Sequence, residues 1–237
     1  MEVLNAYSNS RCSAGSEFLK ETGAEKISEG HLNKLVLSEV NRDIIEKWAG
    51  YPDESSMQIQ IGEWEGLFPD DRIKEISDFY QAVFDADASN KNSRVVFSPE
   101  MVLKGEQASF SGDTKKLTVF ATDSDNGKLL GLTEIRWPSS RPSILSQGYT
   151  AVIPEARGMG IGRRLKAEMV SRVISNFNRA ECIRAGNDAD NAPIQKINHE
   201  LGFRHFITNY TWKIETDALI KYVESRKTLY ANSTSTR

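Results

Sequence analysis

Six residues carry the strongest chemical signal in this chain: Arg157-Gly158-Met159-Gly160-Ile161-Gly162. Before them runs Ser146 to Ile153, rich in β-branched and aromatic residues. After them comes Arg163 to Phe177, with Leu165, Met169, Val170, Val173, Ile174 and Phe177 at helical spacing. The pattern predicts a buried strand, a glycine-rich turn and a helix. Such a turn gathers several backbone N–H groups with no acceptor in the helix, beside the positive end of the helix dipole. That arrangement suits anions, phosphate above all. The competing reading is a connection that holds nothing. Against it, one turn needs one glycine, and three spaced by single residues suit close approach of another group to the backbone.

The glycine spacing separates the known phosphate loops. A P-loop needs GxxxxGK[ST], and no Lys-Ser or Lys-Thr follows these glycines. A dinucleotide fingerprint needs GxGxxG, and counting from Gly158 the last position is Arg163. What is left is Arg-x-x-Gly-x-Gly at Arg157, Gly160 and Gly162, with Pro154-Glu155 upstream. This pattern closely resembles the acyl-CoA pyrophosphate loop of the GNAT superfamily of N-acyltransferases. A second stretch, Asn191 to Phe203 (NAPIQKINHELGF), resembles the fourth-helix signature of the same family.

The elements around the two signatures agree with that resemblance. Pro69-Asp70-Asp71 starts a helix with Ile73, Ile76, Phe79, Tyr80, Val83 and Phe84 on one face. Ser98-Pro99-Glu100 starts another, with serine as cap and proline at the first helical position. Lys116 to Thr122 and Lys128 to Trp137 read as strands joined through Asp125-Asn126-Gly127, a hairpin signal. Ala180 to Ala185 is a further strand, Asn191 to Leu201 a helix stopped by Gly202, and Phe203 to Ile214 two short closing strands. Met57, Ile59 and Ile61 alternate as a first strand. The order implies an α/β (α+β) protein of the GNAT fold, a mixed and mostly antiparallel sheet flanked by helices, over residues 57 to 216.

Residues 1 to 48 form a separate N-terminal segment. Ala14 to Leu37 reads as helix, Gly23 stop, then one or two strands. Shifted by 179 positions it overlies Pro193 to Thr216, matching Glu21 with Glu200, Gly23 with Gly202 and Lys34 with Lys213. One expectation is the tail of a truncated first GNAT repeat, as in tandem GNAT proteins; the other is an unrelated extension. Ala49 to Ser56 is a polar linker, Thr216 to Arg226 a terminal helix, and Asn232 to Arg237 a disordered tail.

The resemblance assigns chemistry residue by residue. It implies that backbone groups of Ala151, Val152 and Ile153 lie along the pantetheine arm, with a backbone N–H near Val152 polarising the thioester carbonyl. It implies that the amides of Gly158, Met159, Gly160, Ile161, Gly162 and Arg163 hold the pyrophosphate. Arg157, Arg163 and Arg164 could add charge-assisted bonds, against a reading as solvated surface arginines. Asn187 and Asn191 flank the helix start; the family uses asparagines there on pantetheine, and asparagine also caps helices for purely structural reasons. Many members carry a tyrosine general acid four residues before the closing glycine. Here that position is Asn198, which puts a tyrosine acid in doubt and leaves a hydrogen bond to sulfur or pantetheine.

An alkylamine of pKa about 10.4 is neutral only about one part in a few thousand near pH 7, so the reaction calls for a base. Glu134 is the candidate, an acid interrupting the apolar strand of Leu132, Ile135 and Trp137. Its alternative is a structural ion pair with Arg136. His31, His199 and His205 have no metal-ligand spacing, and Cys182 reads as a core residue, so no metal and no covalent nucleophile are expected.

Composition bounds the partners. At 237 residues, 39% hydrophobic and 27% charged, with net charge -3, the chain fits a soluble globular protein and gives no reason to expect nucleic acid. Two cysteines make no disulfide framework, no apolar stretch approaches a membrane span, and no signal-peptide pattern opens the sequence, so the expected compartment is the cytoplasm. The expected function is transfer of an acetyl group from acetyl-CoA to a small-molecule or peptide amine, by direct attack in a ternary complex. Its rival is an acyl-CoA-binding or assembly protein without turnover. The sequence is compatible with a homodimer and is silent on the acceptor.

Overall fold

In a computed structural model the chain is described at residues 2–50, 58–87, 94–110, 112–187 and 192–234. Its elements in chain order are β1 (Val3–Asn9), α1 (Ser13–Glu21), β2 (Glu25–Val36), α2 (Arg42–Ala49), β3 (Ile59–Glu65), α3 (Ile73–Asp85) and α4 (Pro99–Ser109). There follow β4 (Thr114–Asp123), β5 (Leu129–Pro138), β6 (Ile144–Val152), α5 (Ile161–Asn176), β7 (Cys182–Asn187), α6 (Ala192–Leu201), β8 (Arg204–Glu215) and α7 (Thr216–Thr234). They divide into two compact units: Met1–Asn33 with Gly186–Ala192 and His205–Arg237, and Lys34–Ala185 with Pro193–Arg204.

Local chemistry sets the element boundaries in the larger unit. The side chain of Asn41 accepts from the amides of Asp43 and Ile44 and starts α2. Ser98 accepts from Met101 N–H at 3.1 Å, and Pro99 follows it at the start of α4. Between β4 and β5 the Asp123 carboxylate accepts from Asp125 N–H, and Gly127 takes φ +73° to close the hairpin.

The strands of this unit run in the order β7-β6-β5-β4-β3, antiparallel at every pair except the parallel β6–β7. The sheet is mixed and mostly antiparallel, with helices packed on it, as the sequence leads one to expect. β5 is buried on both sides over Leu129 to Ile135, because successive residues serve opposite faces. Gly131 looks toward Leu165 of α5, and Trp137 packs edge-on to Phe177. Glu134, on the other face, meets Lys116 and, through it, Glu106 of α4. The core joins Ile76, Phe79 and Val83 of α3 to Val119, Leu132 and Ile135, and to Leu165, Met169 and Val173 of α5.

In the smaller unit β8 lies between β1 and β2, pairing antiparallel with β1 from Val3↔Glu215 to Asn9↔Asn209. Trp212 Nε1 donates to Ser8 Oγ at 2.8 Å, and Phe18 meets Tyr222 edge-on. A cavity of about 400 Å³ opens in this unit, lined by Ser13, Ser16, Lys20, Lys26 and Tyr210 among others. None of the residues of the glycine loop lines it.

Several elements differ from expectation. Where two short closing strands were expected over Phe203 to Ile214 there is one 12-residue strand, β8, because Asn209, a residue that favours turns, is held in the ladder opposite Asn9 of β1. β1 and α2 had no strong pattern of their own: β1 is mostly exposed, and α2 is a short helix made by its asparagine cap. α7 continues through Asn232–Thr234, where the sequence suggested disorder, since no glycine or proline interrupts it. Met57 and most of the linker lie outside the described residues.

Gly131 is the position where close packing leaves least room. A Cβ there would stand 2.9 Å from the Ala151 carbonyl oxygen and 3.1 Å from Leu165 Cδ1. Gly131→Ala is expected to destabilise the protein by about 1–3 kcal/mol, as overpacking does, and denaturant unfolding measures it.

Candidate active site

Strand β6 has two partners and keeps one of them only part of the way. Its parallel ladder with β7 runs from Ile144↔Cys182 to Gln147↔Ala185, while β6 itself continues to Val152. Its antiparallel ladder with β5 shifts register between Thr133↔Thr150 and Ile135↔Gln147, so that Gly148 and Tyr149 both stand opposite Glu134. This is a β-bulge, and it coincides with the end of the β7 ladder. Beyond Gln147 one edge of β6 therefore has no strand partner among the described residues.

The open edge presents backbone groups in alternation. Ile153 N–H donates to Leu130 O at 2.9 Å, on the β5 side. Alternation turns the N–H and C=O of Val152 to the opposite edge, where Val152 O accepts from Arg157 Nε at 3.2 Å. Of the three residues expected along pantetheine, Ala151 and Val152 pair with Leu132 and Gly131, and the Ile153 amide is committed to β5.

The glycine loop follows a short 3₁₀ turn, Pro154–Ala156. Gly158 and Gly160 adopt φ +84° and +80°, the left-handed region that side chains disfavour, and a Cβ on either would meet nothing within 4 Å. Their requirement is conformational. Gly162 is different: it lies in the first turn of α5, where a Cβ would stand 3.5 Å from Ile197 Cδ1 of α6. Gly160 is the N-cap of α5 and supplies no side-chain acceptor, so the amides at the helix start point outward. Met159 packs against the core, and Ile161 is buried.

The arginines are partly engaged within the protein. Arg163 pairs with Glu200 at 3.3 Å and lies over the Trp48 ring. Arg164 reaches the Ile59 carbonyl of β3 at 3.5 Å. Arg157 is exposed and lies near Tyr149, whose phenol is pushed up by burial and pulled the other way by that guanidinium. On α6, Asn198 is buried to 1% exposure. Asn187 ends β7, and neither its side chain nor any of Asn191 lies among the described residues.

Glu134 is 1% exposed and ion-paired to Lys116 at 3.4 Å and to Arg136 at 3.2 Å. Lys116 also pairs with Glu106 and sits over the Phe68 ring at 3.5 Å. The Glu134 Oε2 atom lies 3.2 Å from where a Cβ on Gly148 would be, against the bulge. Tyr80 packs edge-on to Tyr149 with centroids 5.5 Å apart, and its phenol is pushed up by burial and then by Glu134 and Glu106.

Sequence reasoning passed over Lys116, Glu106, Gln147 and Lys166. Lys166 had a legible signal: with Met169, Val170 and Val173 it falls on the apolar face of α5 at helical spacing. It is 1% exposed, donates to Gln147 Oε1 at 3.0 Å, and has the Phe203 ring at 5.0 Å. Among the described residues no helix is long and apolar enough to cross a membrane, and no cluster of three metal-ligating side chains occurs.

No protein-family model matches the chain, and a search of curated proteins returned no match. Solved structures do resemble it. A tandem GNAT protein from the clavulanic acid biosynthesis pathway superposes with a TM-score of 0.72 at 19% identity, over 90% of this chain and 64% of that one. A GCN5-related N-acetyltransferase from Sphaerobacter thermophilus gives 0.59 at 13%, over 89% and 59%, and one from Kribbella flavida 0.55 at 13%, over 89% and 68%. The chain thus spans less than two thirds of the first two. The fold of this chain is that of the GNAT N-acetyltransferases.

Proposed function

We propose that the protein is an acyl-CoA-dependent N-acyltransferase that moves an acetyl group from acetyl-CoA to a primary amine of a small molecule or peptide. The observation that carries this reading is the open edge of β6 beyond Gln147, running straight into the uncapped start of α5. A strand edge with unpaired backbone groups suits the two amides of a pantetheine arm, and outward amides at a helix start suit its pyrophosphate. In this reading Ala151, Val152 and Ile153 flank the arm, Arg157 and the amides from Gly158 to Arg163 hold the phosphates, and Asn187, Asn191 and Asn198 complete the donor site. The N–H of Val152 polarises the thioester carbonyl.

The amine attacks the thioester carbon directly. A carbon–nitrogen bond forms, the carbon–sulfur bond breaks, the electron pair leaves on sulfur, and the proton lost by nitrogen balances the thiolate. Glu134 is the carboxylate assigned to that proton, acting through water at the bulge, with Lys116 and Arg136 fixing its position. No metal takes part, and the protein works in the cytoplasm without nucleic acid or membrane. Residues 57 to 216 form the acyltransferase domain, 217 to 237 a terminal segment, and 1 to 48 a copy of the tail of a GNAT unit. That last assignment rests on the match of β1, α1 and β2, shifted by 179 positions, to β7, α6 and β8.

A second reading has its own support. Glu134 is enclosed by two cations and Asn198 replaces a tyrosine acid, which suits a protein that binds acyl-CoA without turning it over. Calorimetry with acetyl-CoA, followed by thiol release against a panel of amines, separates the two. Binding with release is expected; binding without release under any amine selects the second reading, and no binding defeats both.

Two substitutions sharpen this. Gly160→Ala forces a side chain into the left-handed region at a cost of about 1–2 kcal/mol, so acetyl-CoA affinity is expected to fall roughly tenfold. Gly162→Ala, with room for a Cβ, should change it little; equal effects would remove the loop conformation from donor binding. Glu134→Gln is expected to lower kcat by about 10²–10⁴ with donor affinity kept. Full turnover at neutral pH in that variant would take Glu134 out of the base role.

A further inference from the structure

Among the described residues of the larger unit two lysines are fully buried, and they are buried differently. Lys116 stands between the carboxylates of Glu106 and Glu134. Among the described residues Lys166 forms no ion pair, and its one hydrogen-bond partner is the neutral amide oxygen of Gln147. An uncompensated buried ammonium is costly, and the ordinary response is loss of the proton. Burial pulls the Lys166 amine down to about 7.

Among the described residues, burial is the one cause acting on that amine. On β5, Glu134 turns its carboxylate to Lys116, Arg136 and the opposite face. The titratable and charged groups on the other packed elements are Tyr149 on β6, Arg184 on β7, Glu168 and Arg163 on α5 itself, and His199 and Glu200 on α6. No ion pair or hydrogen bond between any of them and Lys166 occurs among the described residues.

The position of Lys166 is as informative as its solitude. Its partner Gln147 is the last β6 residue in register with β7 and the last before the bulge in register with β5. The Gln147 amide nitrogen donates in turn to Thr133 Oγ1 at 3.0 Å and to the Glu134 carbonyl, and Thr133 shares a hydrogen bond with Thr150 at 2.7 Å. A single chain of contacts therefore runs from α5 through the point where the strands part to both flanks of the bulge.

We propose that Lys166 is a proton-coupled positioning residue of the donor site: an anionic acyl-CoA entering beside β6 draws a proton onto its Nζ, and the ammonium so formed holds Gln147 and the bulge in place. This rests on the acyl-CoA reading above. A donor carrying several negative charges favours the charged lysine, and linkage makes the effect reciprocal: the charged lysine favours the donor. Lys166 touches no reacting atom in this scheme. The proton comes from solvent on binding and returns to it on release.

Calorimetry of acetyl-CoA binding, repeated in buffers of different ionisation enthalpy, counts the protons exchanged. If the donor raises the lysine by about one pK unit, roughly half a proton is taken up near pH 7.5 and almost none at pH 6, where the amine is already charged. Affinity should then fall up to about tenfold between pH 6 and pH 9. Lys166→Met, an apolar replacement of similar length, should abolish the uptake that wild type shows at pH 7.5. Any exchange by the donor's own phosphate is common to both proteins and cancels in the difference. Lys166→Arg keeps its charge at every pH used, and its affinity at pH 9 should match that at pH 6. Should neither variant fold, the wild-type contrast between pH 7.5 and pH 9, both above the range in which a phosphate monoester titrates (second pKa about 6), decides alone. Binding with no uptake, with proton release, or with uptake unchanged in Lys166→Met overturns the proposal and leaves the acyl-CoA reading standing. Absence of binding overturns both.

Discussion

The local geometry of the site turns on β6 losing its parallel partner while keeping its antiparallel one. Up to Gln147 the strand is bonded on both edges; past it β5 is the one strand partner among the described residues, and the bulge at Gly148 and Tyr149 adds twist at the same place. An interior backbone group left without a partner costs about 1–3 kcal/mol, so a strand edge exposed this far inside a sheet needs other partners. Arg157 supplies one by donating to Val152 O. The remaining open length points toward the start of α5, where Gly158 and Gly160 hold the chain in left-handed conformations. An open edge and an open helix start thus follow one another along a single stretch of backbone.

β5 separates two electrostatic environments that serve this stretch. On one face, Glu134, Glu106, Lys116 and Arg136 form a charge-balanced cluster, two carboxylates against two cations, and removing any one partner would strand the others in a dry interior. On the other face, Lys166 has an amide and an aromatic ring and, among the described residues, no counter-charge. The first cluster is fixed in composition and suits a structural or positioning role for its members. The second is sensitive to whatever charge arrives nearby. Gln147 and the Glu134 carbonyl connect the two through the bulge.

Much of the donor loop was legible in the sequence because its constraints are local. A left-handed turn asks for glycine, a helix start asks for a cap or a ligand, and both needs are written at Arg157 to Gly162. The hairpin at Asp125-Asn126-Gly127 and the stop at Gly202, with φ +100°, were legible for the same reason. Glu134 shows where this fails. Its strand position exposed it as an anomaly, but its partners Lys116 and Glu106 come from elements 18 and 28 residues earlier, and only the folded sheet brings them together. Lys166 was hidden by habit of reading: lysine on a helix suggests a solvated face, and its spacing against Met169 and Val173 had to outweigh its residue type. β1 carries too little burial to print a pattern at all.

The shared element order of β1-α1-β2 and β7-α6-β8 separates what backbone conformation requires from what chemistry requires. Adding 179 to Glu25–Val36 gives 204 to 215, the bounds of β8, and adding it to Ser13–Glu21 gives 192 to 200, within one residue of α6. Each helix is closed by a glycine with positive φ, Gly23 at +79° and Gly202 at +100°. Few side chains match, because a helix, a left-handed stop and a long strand can be specified by many residues once the glycine is kept. The positions assigned to donor binding do not recur: Asn187, Asn191 and Asn198 fall opposite Ser8, Cys12 and Leu19. Leu19 is buried, as Asn198 is, but it offers no polar group. At that position the first stretch places an apolar side chain in a buried site and the second an amide, so equivalent backbone is filled by packing in one and by a polar group in the other.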